Sequence, residues 1–325
     1  MISRRVILES NSANSNQFNT HLGRINEELE KLISSRAPFL KDTGNHSLLG
    51  NGKCPLPLFF VLSCKLCNYP EEDVYVLSTI FEYIHRASLL HEDVLDNAQG
   101  NGKNGNDKVI LEGDLLYSKA STLAVDSNNM PFLKRIIETT TRMMEGQILD
   151  LIHTDDWNTD REQYMEVITS RKAILFSAAC ACGAIISGSK VEAEQSLEQF
   201  GLNVGIAYQL KEDLLDYTSS EDGIEKKVGK GLKEGRITLP LICTLSKLED
   251  SVRERLANLY KNHQATEQDY RNLVCLVMSN GVLDQIQYEA HSYIDKATSC
   301  LSTLPDSPSR RDLLELAHYV IERKY

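Results

Sequence analysis

The stretch Ile84-His-Arg-Ala-Ser-Leu-Leu-His-Glu-Asp-Val-Leu-Asp96 runs an apolar helical pattern into three carboxylates, Glu92, Asp93 and Asp96. On a helix of about 3.6 residues per turn, positions i, i+3 and i+4 share a face, so all three can aim at one spot. The pattern recurs 120 positions later in Gln209-Leu-Lys-Glu-Asp-Leu-Leu-Asp216, with Glu212, Asp213 and Asp216 at the same spacing. An acidic triplet alone reads as a solvated helix face. Here Leu89, Leu90, Val94 and Leu95 interleave the first cluster, and Leu210, Leu214 and Leu215 the second. The carboxylates are therefore expected on the buried side of their helices or at its rim.

Two carboxylates about 4 Å apart repel by roughly 4 kcal/mol at an effective dielectric of about 20, so clusters that face one another need a cation. Ligands that are all oxygen, without neighbouring Cys or clustered His, favour Mg²⁺ over Zn²⁺, and Mg²⁺ shares the phosphates of its substrates. The residues point to a phosphate-bearing substrate clamped through metal by two helices.

Outward from these clusters, helical periodicity covers Phe18 to Leu40, Leu58 to Cys67, Glu71 to Asp96, Gly113 to Val125, Pro131 to Ile152, Arg161 to Ile186 and Lys190 to Tyr217. It resumes over Ile237 to Ser246, Asp250 to Tyr260, Glu267 to Ser279, Val282 to Ser302 and Ser309 to Tyr325. Residues 44–57 and 97–107, rich in Gly and Asn, read as loops. No strand-type alternation stands out. The expectation is an all-α protein with one domain over residues 1–325, whose polar segment 1–18 is only partly ordered.

A net charge of −11 argues against a general nucleic-acid binder. No run of 18 apolar residues suggests a transmembrane segment, and the N-terminus lacks an apolar core long enough for a secretory signal, so a cytoplasmic protein is expected. Of the eight cysteines, only Cys64-x-x-Cys67 has metal-like or redox-like spacing, and without a partner pair it reads as two thiols on one helix.

Further matches lie in order along the chain: His85 and His91 before the first cluster, Gly146-Gln147-Ile-Leu-Asp150-Leu151, Arg171-Lys172, Tyr208-Gln209 before the second cluster, Lys226-Lys-Val-Gly229, Leu232-Lys-Glu-Gly235-Arg-Ile-Thr238-Leu-Pro240 and Leu304-Pro-Asp-Ser307. Together they resemble the trans-isoprenyl diphosphate synthases, the polyprenyl synthetase family, of the medium-to-long-chain bacterial type. The resemblance implies a helical bundle around a central cavity, the isoprenoid synthase fold, in a homodimer. It implies head-to-tail condensation of an allylic prenyl diphosphate with isopentenyl diphosphate to give a trans-polyprenyl diphosphate, with Mg²⁺ as cofactor.

By the same resemblance Glu92, Asp96 and Glu212 are metal ligands, and Asp93, Asp213 and Asp216 give direct or water-mediated support. Lys172 and Lys226 meet the leaving diphosphate. Gln209 and Tyr208 line the site near the carbocation, and Lys53, His85 and Lys103 bind isopentenyl diphosphate. Ala87 and Ser88, one turn before the carboxylates, carry no aromatic plug, which implies a long product. Departures are also present. The family's Gly-Gly-Lys-Arg-Leu-Arg-Pro reads Asn51-Gly-Lys-Cys-Pro-Leu-Pro57, the Arg-Arg pair after the first cluster is missing, and both clusters open with Glu in place of Asp. Arg binds phosphate bidentately and Lys does not reproduce that geometry. The alternatives are a non-catalytic or regulatory homologue, motivated by the missing arginines, and a class I terpene cyclase.

Overall fold

The structure is a computed structural model describing residues 15–36, 55–98, 106–218, 229–261 and 264–322. Among the described residues every regular element is helical. In chain order these are α1 (Ser15–Arg36), α2 (Leu56–Leu66), α3 (Val74–Ala98), α4 (Asn106–Asp126), α5 (Met130–His153), α6 (Arg161–Ile168), a π-helical turn (Thr169–Ala173), α7 (Ile174–Ile186) and α8 (Val191–Thr218). There follow α9 (Lys230–Lys233), α10 (Leu239–Leu245), α11 (Asp250–Lys261), α12 (Glu267–Ser279), α13 (Val282–Cys300), a 3₁₀ turn (Leu301–Thr303) and α14 (Pro308–Glu322).

Local chemistry sets several of these boundaries. Asp160 and Gln163 form a capping box at the start of α6, each side chain accepting from the other's backbone N–H at 2.9 Å. Thr266 and Asp269 do the same for α12. Pro57 and Pro240 occupy first-turn positions of α2 and α10, where a missing N–H costs nothing. Several boundaries differ from the sequence expectation by a few residues, and two differences are larger. Helix α4 opens at Asn106, at the end of the expected loop, and the expected helix over Arg161 to Ile186 is interrupted by the π-turn.

The chain divides into two compact units, each assembled from separate segments. The first comprises Met1–Thr140, Leu175–Gly201 and Leu301–Leu316. In it α3 packs along α4 and against α1 and α2. Phe59, Phe60, Phe81, Phe132, Phe176 and Phe200 meet in its core, with the rings of Phe60 and Phe81 5.1 Å apart. His21 of α1 is buried against Tyr75, its Nδ1 2.9 Å from the Tyr75 hydroxyl.

The second unit comprises Thr141–Ile174, Leu202–Cys300 and Ala317–Tyr325. Its core gathers Trp157, Tyr217, Leu232, Ile237, Leu241, Leu245, Tyr260, Leu273, Val274 and Val277. Trp157 stacks on Tyr260 at 5.0 Å, and the Tyr260 hydroxyl donates to the Asp269 carbonyl.

The stretch Arg161–Ile186 is long and apolar enough by composition to cross a membrane, yet 78% of its apolar window is buried inside the protein. It is a core helix whose apolar surface is already covered. Cys64 is a buried thiol on α2 whose pKa burial pushes well up, and Cys67 caps that helix; the described cysteines are all free thiols.

Candidate active site

The second acidic cluster lies on α8 within the second unit. Glu212 is exposed, whereas Asp213 is buried together with Leu210 and Leu214. Asp213 is held from two sides: the Tyr164 hydroxyl of α6 donates to its Oδ2 at 2.6 Å, and Gln209 Nε2, one turn back on α8, donates to its Oδ1 at 2.7 Å. Burial pushes the Asp213 carboxyl up to about 6, the two hydrogen bonds pulling the other way and neighbouring Asp216 and Glu212 adding to the rise. Asp216 turns to the backbone, its Oδ1 and Oδ2 accepting from the N–H groups of Lys230 and Gly231 at 3.1 Å each. It thereby fixes the start of α9. Burial raises its carboxyl as well, against those two N–H bonds.

The Gly146-Gln-x-x-Asp150 motif has a packing explanation. A Cβ on Gly146 would stand 2.6 Å from the backbone nitrogen of Arg171 and 2.8 Å from the carbonyl carbon of Ser170, so only glycine lets α5 lie this close to the π-turn. Gly205 of α8 approaches the turn equally closely, its missing Cβ 2.6 Å from the Ala173 Cα. One turn after Gly146, Asp150 Oδ2 accepts from the buried Arg171 guanidinium at 2.5 Å. Lys172 follows Arg171 on the same turn and is half-buried, as are Tyr208 and Gln209 on α8. The second unit thus carries Lys172 on the π-turn, next to the Ala173 that Gly205 of α8 approaches, and Tyr208, Gln209, Glu212, Asp213 and Asp216 further along α8. π-turns interrupting α-helices are frequent at functional sites.

In the first unit, Glu92 of α3 is buried and accepts from Ser88 Oγ at 3.0 Å, while Asp93 and His85 are half-buried. Leu89 and Leu95, which interleave this cluster, are exposed. The His91 ring lies over Gly113 of α4, where a Cβ would meet its Nε2 at 2.4 Å; that nitrogen is 3.3 Å from Asp114 Oδ1. Gly113 and His91 therefore set how closely α4 approaches α3. Ala87 and Ser88 are fully buried. The two arginines of the acidic helix region and the π-turn have carboxylate partners, Arg86 with Glu82 and Arg171 with Asp150. Leu56, at a position where the family motif carries arginine, is buried as the first residue of α2.

Lys53, Lys103, Lys226 and the Asp96 side chain lie outside the described residues. Among the described residues no three His, Cys, Asp or Glu side chains come together as a metal-holding group. Each cluster taken by itself offers oxygen donors of the kind a hard divalent ion takes, Asp93 as a half-buried carboxylate in the first unit and Glu212 as an exposed one in the second. The sequence reading missed Tyr164. It sits eight residues before Lys172 in an ordinary amphipathic helix, with no spacing that ties it to Asp213.

Comparison with known proteins matches the chain to one family. The family model for polyprenyl synthetase matches residues 37–277. The chain is 32% identical over 307 residues to octaprenyl diphosphate synthase of Escherichia coli, covering 92% of this chain and 94% of that one. It is 29% identical to an all-trans-nonaprenyl-diphosphate synthase (geranyl-diphosphate specific) of Rhodobacter capsulatus, over 90% and 91% of the two chains. In structure it is similar to a polyprenyl synthase from Caulobacter crescentus complexed with calcium and isoprenyl diphosphate, with a TM-score of 0.85, 28% identity and 95% and 97% coverage. The chain belongs to the polyprenyl synthetase family, the trans-prenyl diphosphate synthases, and has their all-α isoprenoid synthase fold.

Proposed function

We propose that this chain condenses an allylic prenyl diphosphate with isopentenyl diphosphate in a Mg²⁺-dependent reaction and extends the product beyond farnesyl length. Bound Mg²⁺ would supply the positive charge that offsets the departing diphosphate, where transition-state stabilisation is gained. Glu92, Asp96 and Glu212 would hold it, with Asp93, Asp213 and Asp216 in direct or water-mediated support. Lys172 and Lys226 bind the leaving diphosphate. Gln209 and Tyr208 border the allylic group as its C–O bond breaks. The isopentenyl double bond then attacks the cation and a proton leaves. Lys53, His85 and Lys103 take the isopentenyl diphosphate, and the missing arginines make this the weaker of the two diphosphate sites.

The observation that carries the reading is the repeated Glu-Asp-x-x-Asp on two helices of a chain belonging to this family. The small buried residues Ala87 and Ser88 support a long product, as do the octaprenyl and nonaprenyl products named for two relatives. The exposed Ile148, Leu151 and Ile152 of α5 support a homodimer, and the free thiols support a reducing, cytoplasmic setting. Incubation with farnesyl diphosphate, labelled isopentenyl diphosphate and Mg²⁺ tests the proposal. Labelled products longer than farnesyl are expected, and their loss on chelation; no labelled prenyl product at all would refute it.

A further inference from the structure

We propose that Tyr164 is a positioning residue for prenyl transfer: its hydroxyl holds Asp213, and Asp213 fixes the side-chain amide of Gln209 so that the carbonyl oxygen is left for the allylic cation. The inference rests on the reading above that Gln209 lines the site. It is carried by two hydrogen bonds through one carboxylate, Tyr164 Oη to Asp213 Oδ2 at 2.6 Å and Gln209 Nε2 to Asp213 Oδ1 at 2.7 Å.

An amide is nearly symmetric in shape, so packing alone does not decide which end faces where. An ionised carboxylate does decide, because it only accepts hydrogen bonds. A flipped Gln209 would set its oxygen against Asp213 Oδ1 in a buried place and forfeit a hydrogen bond to a charged group. The amide nitrogen therefore turns to Asp213 and the partly negative oxygen turns away from it. Asp213 can dictate this only if it does not rotate, and the Tyr164 hydroxyl holds its second oxygen. Tyr164 is itself a fixed post. Its ring is buried, and α6 is anchored at its start by the Asp160–Gln163 capping box one turn earlier. Phenylalanine at 164 would keep the packing and remove only the tether.

The experiment compares kcat and KM for both diphosphates in the wild type, Tyr164→Phe, Gln209→Leu and the double variant. Tyr164→Phe is expected to lower kcat between about tenfold and a hundredfold, with KM nearly unchanged. The double variant is expected to be no slower than Gln209→Leu alone, since Tyr164 acts through Gln209. A wild-type kcat in Tyr164→Phe, or losses that multiply in the double variant, would overturn the inference. Side-chain amide protons of ¹⁵N-glutamine-labelled wild type, assigned by their absence in Gln209→Leu, give a test that needs no folded Tyr164 variant. Slow exchange at Gln209 is expected, and exchange as fast as at exposed glutamines would overturn the tether. A protected amide in a wild type without prenyl transfer would sink the activity reading instead.

Discussion

The Asp150 carboxylate meets the Arg171 guanidinium at 2.5 Å and so joins the end of α5 to the π-turn. The pair engages the arginine that precedes Lys172 in the chain. Because Arg171 is buried and Asp150 only partly so, removing the carboxylate is the costlier change. Asp150→Ala is expected to lose about 2–3 kcal/mol of stability and Arg171→Met less, since an apolar side chain of similar volume is tolerated where an uncompensated buried charge is not. Urea midpoints of the two variants check the order, and equal losses would contradict it.

Gly146 and Gly23 make a matched test of close packing. A Cβ at Gly146 meets backbone that cannot step aside, whereas one at Gly23, on the exposed side of α1, meets nothing within 4 Å. Gly146→Ala should cost at least about 2 kcal/mol. Gly23→Ala should gain up to about 1 kcal/mol through helix propensity. Thermal melts should therefore shift in opposite directions.

Burial lowers the pKa of His21 from 6.5 to about 4, with Lys65 and Arg24 adding to the effect. The unfolded chain then binds more protons than the folded one between these values, so stability is full above about pH 6.5 and falls as the pH drops towards 4. The loss at His21 by pH 5 is on the order of 1–2 kcal/mol, less than the whole shift because only part of the interval between 6.5 and about 4 has been crossed. Urea unfolding at pH 7 and pH 5 should show a smaller difference in His21→Gln than in the wild type.

Glu212 is exposed, so its removal should spare the fold. Glu212→Gln is expected to keep the wild-type melting temperature and lower prenyl transfer by about a hundredfold or more, with partial recovery at high Mg²⁺. Activity equal to the wild type at low Mg²⁺ would remove Glu212 from the metal-binding set.

Leu56 has become part of an apolar core, so restoring the family's arginine there should not restore phosphate binding. Leu56→Arg is expected to lose several kcal/mol, on the order of 3–5, because it buries an unpaired charge. A stable Leu56→Arg variant that binds isopentenyl diphosphate more tightly would show that this position still reaches the diphosphate.

The sequence was legible where chemistry repeats at helical spacing. Periodicity located most of the long helices within a few residues, α4 excepted, and both acidic clusters sit on helices as expected. What was not legible depends on neighbours distant in the chain. Asp213 and Glu212 are adjacent carboxylates in the sequence, yet Tyr164, 49 residues away, makes one a clamped buried group while the other faces water. Gly113 and Gly146 look like weak points of their helices until the residues lying across them, His91 and Arg171, are known. Local pattern also gives no notice of the four-residue α9, which Asp216 organises from 14 residues upstream.

The π-turn at Thr169–Ala173 makes the length of the chain at this point a structural quantity in its own right. Each residue of an ordinary helix advances the azimuth by about 100°, so deleting one residue to regularise the turn would rotate all of α7 by that angle. Gly183, whose missing Cβ lets α7 lie against the backbone of Ser63 and Cys64, would turn away from that contact, while Arg171 would lose its alignment with Asp150. A one-residue gap in this segment is therefore a larger perturbation than most substitutions within it.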